Sequence, residues 1–97
     1  MKIETVKCVL ESLPPEFDSH QFIERFIREN EREYVEMLYA QKDSPAIFRT
    51  VHARIAKFLA ENADELHICK DCDGDDGRAE SRNIKGYDSE NQKWKKL

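Results

Sequence analysis

Residues 50–68 read TVHARIAKFLAENADELHI, and a change of period inside this stretch decides the fold. Val51, Ile55, Phe58 and Leu59 recur at three- and four-residue steps, one apolar stripe of an α-helix. Extended backward, the stripe takes in Ile47 and Phe48, and Ser44-Pro45 supplies a start, with serine as cap and proline at the first helical position. This predicts a long helix from about Pro45 to Asp64. Leu66, Ile68 and Lys70 then alternate with a period of two, which predicts a strand. Helix lies before this switch and strand after it.

Working outward toward the amino terminus, Ile3, Val6, Val9, Leu10 and Leu13 form a first amphipathic helix, ended by Pro14-Pro15. The run FDSHQF at 17–22 starts a second. Asp18 can accept from the free amides while Gln21 reaches back to it, and Phe17 and Phe22 are spaced as a hydrophobic staple around that cap. Phe22, Ile23, Phe26 and Ile27 give its apolar stripe. Asn30 with Glu33 repeats the capping pattern and predicts a restart, with Tyr34, Val35, Leu38 and Tyr39 as the buried side of a third helix. Toward the carboxyl terminus, the acidic stretch Asp71–Ser81 reads as the tip of a β-hairpin. NIKGY and QKWKK supply strand-like pieces, and Tyr87 and Trp94 close the hairpin onto the helices. The expected architecture is α+β, one domain over 1–97: about four helices followed by a C-terminal β-hairpin.

The bulk properties narrow the function. The chain has 97 residues, 37% of them charged, with 16 basic and 20 acidic groups and a net charge of −4. An acidic chain disfavours indiscriminate nucleic-acid binding, although a local basic face can still meet phosphate. No apolar run is long enough to span a membrane, and Glu4 and Glu11 interrupt any signal-peptide pattern. Three cysteines, an odd and small number, fit a reducing compartment, so a cytoplasmic location is expected.

Helix, helix, long helix and then a two-stranded wing is an order that resembles the winged helix-turn-helix superfamily. Residues 50–68 are similar to its recognition helix leading into the first wing strand. The resemblance implies a DNA-binding regulatory or accessory domain, with dimerisation common and the first helix as the expected dimer surface. One departure is an extra helix inserted between Asn30 and Asp43.

The residues themselves also point to double-stranded DNA. No carboxylate occurs between Asp43 and Glu61, while Arg49, Arg54 and Lys57 do. With the apolar stripe facing inward, Arg49, Thr50, Ala53, Arg54 and Lys57 fall on or beside the outward face. There small residues let the helix approach a groove and the long ones reach base edges and phosphate. Lys85, with Lys93, Lys95 and Lys96, can add backbone contacts from the hairpin and tail. Three cations on one solvated face are also ordinary for a surface helix, and the carboxylates of Asp71, Asp73, Asp75, Asp76 and Glu80 would repel phosphate. If DNA is bound, that stretch should point away from it or shield the site. The alternative is a non-catalytic protein-interaction domain or homodimer.

Chemistry is poorly supplied. Cys69 and Cys72 form a CxxC with no second pair, so a zinc site would need His67 and one of Cys8, His20 or His52 brought in by folding. A thioredoxin-like site needs its CxxC at a helix start, whereas DGDDG follows here. An EF-hand register fails, because the twelfth residue counted from Asp71 is Arg82 and from Asp73 is Ile84. Neither His20 nor His52 has a nucleophile and acid nearby in sequence, and no glycine-rich phosphate loop exists. No enzyme activity, cofactor or metal is expected.

Overall fold

The computed structural model describes residues 1–70, 78–82 and 88–97. In chain order these form α1 (Ile3–Glu11), β1 (Glu16–Asp18), α2 (Ser19–Glu29), α3 (Glu31–Ala40), α4 (Ile47–Glu61), α5 (Ala63–Leu66), β2 (Ile68–Lys70), β3 (Arg78–Arg82) and β4 (Asp88–Lys96). The fold is α+β, with five helices among the described residues and β4 as the strand on which the others pair. None of the helices among the described residues is long and apolar enough to cross a membrane.

Local chemistry explains where α2 begins. The Asp18 carboxylate accepts from the Gln21 amide at 2.8 Å, and the Gln21 side chain accepts from the Asp18 amide at 2.8 Å, a complete capping box. Asn30 does separate α2 from α3, but by its backbone: its N–H donates to the Phe26 carbonyl and its own carbonyl accepts from Tyr34. The expected Asn30–Glu33 cap does not form, for α3 has no side-chain cap bond. The long helix starts two residues later than expected. Ser44 Oγ accepts from the Ala46 amide at 3.2 Å and hydrogen-bonds Thr50 Oγ1 at 3.0 Å, shaping the approach to α4 rather than capping it. It also ends earlier. Both the side chain and the backbone amide of Asn62 donate to the Phe58 carbonyl, and this local competition breaks the helix and sets off α5. Leu66, expected in the strand, closes α5, and His67 turns the chain in the left-handed region at φ 56° before β2 begins at Ile68.

β4 is antiparallel to each of its partners. Its C-terminal half lies between β1 and β2, with Phe17 opposite Trp94 and Ile68 opposite Lys96. Its N-terminal half pairs with β3, Arg78 opposite Gln92 and Arg82 opposite Asp88. β1 is missing from the sequence reading because three residues carry no period. The hairpin is also rearranged. Part of the expected acidic tip, residues 78–81, belongs to strand β3, and the strand-like reading of NIKGY at 83–87 falls outside the described residues. Residues 71–77 and 83–87 lie outside the described residues.

The core draws on nearly every element: Val6, Val9 and Leu10 of α1, Phe17 of β1, Phe22, Ile23 and Phe26 of α2, Tyr34 of α3, Val51, Ile55 and Leu59 of α4, Leu66, Ile68 and Trp94. Each fully buried side chain of this size contributes on the order of 1.5–3 kcal/mol. Trp94, 2% exposed, closes the sheet onto the helices as its position suggested. Its indole N–H donates to Ser19 Oγ at 3.0 Å, tying the last strand to the first turn of α2.

Three expected core residues are exposed. Val35 is 60% exposed, Tyr39 68% and Phe48 43%. Successive helical residues point about 100° apart, so α3 cannot turn both Tyr34 and Val35 inward, and the row through Tyr34, Met37 and Leu38 takes the core. Phe48 stands in the first turn of α4 and meets His52 edge-on, ring centres 6.2 Å apart.

Candidate nucleic-acid interface

α4 has no acidic residue in its first turn, and packing of Val51, Ile55 and Leu59 fixes which way its other side faces. Arg49, Ala53, Arg54 and Lys57 are all exposed, as the spacing required. Positions 49, 53, 54 and 57 form a single stripe down the helix. Among the described residues, Arg49 and Arg54 make no ion pair, whereas Lys57 is held 3.7 Å from Glu61 one turn on. Such an exposed pair is worth only about 0.3–0.5 kcal/mol. Thr50 differs from expectation. It is half-buried and its hydroxyl is bonded to Ser44, so it braces the start of α4.

The tail lysines do not join this stripe. α4 packs on α2, α3 and α5, whereas β4 packs on α2 and its neighbouring strands. Lys96 Nζ donates to the Leu13 carbonyl at 2.6 Å, which anchors the tail to the end of α1. Lys95 stands opposite Glu16 and Cys69 in the sheet register, and Lys93 opposite Asp18. Lys85 lies outside the described residues, as do Cys72 and the acidic run at 71–77.

The metal candidates scatter. Cys69 is a half-buried free thiol on β2, Cys8 is exposed on α1, and His67 is exposed at the left-handed turn. Among the described residues, no three His, Cys, Asp or Glu side chains are grouped to hold an ion. His52 is at the joint of α3 and α4, its Nε2 hydrogen-bonded to Tyr34 Oη at 2.7 Å. Burial pushes the Tyr34 phenol above its ordinary value of 10.0, because the phenolate would be poorly solvated there.

Two surface features escaped the sequence. One is the apolar exposure at Val35 and Tyr39 on α3 and at Phe48 on α4. The other is an open groove of about 210 Å³ lined by Leu13, Pro14, Gln21, Glu24, Arg25 and Arg28. Its arginines are tied to neighbouring acids, Arg28 to Glu24 at 3.0 Å and Arg25 to Glu29 at 4.0 Å. Only the exposed apolar residues had a legible signal: the apolar positions of α3 span too wide an arc for one buried stripe. Compared with known proteins, the chain matches no family model, no curated protein and no solved structure.

Proposed function

We propose that this chain is a small, non-catalytic, intracellular DNA-binding domain of winged-helix type that presents α4 to duplex DNA. The observation that carries the proposal is the exposed stripe of Arg49, Ala53 and Arg54, on a segment from 44 to 60 without a carboxylate in a chain of net charge −4. The order of α1, α2 and the long α4 before antiparallel strands supports the same reading, with α3 as the inserted helix. Arg49 and Arg54 act as the phosphate and guanine contacts, Ala53 allows close approach, and Lys57 exchanges Glu61 for the backbone. The sheet lysines play no part in the contact.

The test is fluorescence anisotropy with a random-sequence duplex across a salt series. Binding at low salt should fall steeply as salt rises. An Arg49→Glu, Arg54→Glu variant should lose it, because each lost phosphate contact removes roughly one unit of salt slope. No binding at low salt overturns the proposal.

A second reading, a protein-interaction domain, is favoured by the exposure of Val35, Tyr39 and Phe48, large apolar groups that a monomer gains nothing by presenting to water.

A further inference from the structure

We infer that the exposed face of α3 is a self-association surface, and that its occupant is α3 of a second copy of this chain, antiparallel to the first. This rests on the protein-interaction reading and names the partner. α1, the element that the winged-helix resemblance suggested for dimerisation, is unsuited. Its Val6, Val9 and Leu10 are spent in the core, leaving Lys2, Glu4, Lys7, Cys8 and Glu11 exposed.

α3 is different. Val35 and Tyr39, one turn apart, form an exposed apolar centre at 60% and 68%. Glu31 stands exposed at one end of the helix. Beyond the other end, Gln41, Lys42 and Ser44 donate to Leu38, Tyr39 and Gln41 and carry the coil on for another turn. That turn brings Lys42 over the Tyr39 ring, its Nζ 4.7 Å from the ring centre.

The face is therefore acidic at its start, apolar in its middle and basic at its end, which is self-complementary under a two-fold axis. With the axis midway between Val35 and Tyr39, Glu31 lies about 9 Å along the helix in one direction and Lys42 about 8 Å in the other. Antiparallel pairing sets Val35 against Tyr39 of the second copy and Glu31 against its Lys42, each contact occurring twice. Arg32 then comes level with Asp43 of the second copy, and Glu36 stays on the flank. A parallel arrangement would set like charges together at both ends. α3 has ten residues, so its face is about 15 Å long and the interface belongs to the small class, with association in the micromolar range or weaker.

Sedimentation equilibrium of the full chain, from micromolar to several hundred micromolar, tests this. The expected result is a reversible dimer that weakens with salt and is abolished in Tyr39→Glu. It should weaken about tenfold in Glu31→Lys and recover in the double variant Glu31→Lys, Lys42→Glu. All these side chains are exposed, so the variants keep the fold. A dimer indifferent to these changes overturns the placement on α3. A monomer at every concentration overturns the second copy as occupant. If that monomer still binds the apolar dye anilinonaphthalene sulfonate and Tyr39→Glu loses it, the broader protein-interaction reading stands. If it binds no dye, both fall.

Discussion

Removing one oxygen from the chain should destabilise it far more than a serine-to-alanine change usually does. Ser19 Oγ accepts from the Trp94 indole at 3.0 Å and donates to the Gln92 carbonyl at 3.4 Å, and Ser19 and Trp94 are 5% and 2% exposed. In Ser19→Ala the indole N–H keeps its burial and loses its acceptor. Stranding a buried donor costs about 1–3 kcal/mol, more than the bond's own net worth of roughly 1 kcal/mol. For a domain of this size each kcal/mol lowers Tm by about 4–8 °C, so a central cost near 2 kcal/mol predicts a fall of about 8–16 °C. The cause can be isolated by a cycle with Trp94→Phe, which has no donor to strand. In that background Ser19→Ala should cost at least about 1 kcal/mol less. Trp94 is the only tryptophan, so unfolding in urea is best followed by far-UV circular dichroism, which every variant retains. A cost below about 0.5 kcal/mol, or an equal cost in both backgrounds, would refute the reasoning.

Two further perturbations probe the backbone and the α3–α4 joint. His67 holds φ 56° with its side chain exposed, so His67→Gly removes strain without losing packing and should raise stability by up to about 1 kcal/mol; a lower Tm would count against it. The Tyr34 phenol has its pKa raised by burial above 10.0, so the folded state holds its proton more tightly than the unfolded chain. Its contribution is complete below pH 10.0 and is lost as pH rises through the raised folded value. Wild type should therefore lose stability more steeply than Tyr34→Phe in that alkaline window, and parallel curves in urea titrations would contradict it.

The amphipathic helices were legible because each rests on chemistry within a few residues: the Asp18–Gln21 box, the prolines after α1, the apolar repeat of Val51, Ile55 and Leu59. Placing Arg49, Ala53, Arg54 and Lys57 outward needed only that repeat, since fixing one face of a helix fixes the opposite one. Tertiary contact decided the rest. β1 exists because Glu16–Asp18 find Lys93–Lys95, about eighty residues away along the chain. β3 has four polar residues and only Ala79 apolar, and its pairing with β4 overrides a composition that reads as loop. Sequence could not assign Val35 and Tyr39 either, because apolar side chains on α3 cover a wider arc than its neighbours can bury. Which of them face water depends on the angle at which α3 meets α2 and α4. That angle is a property of packing between segments, and no local pattern encodes it.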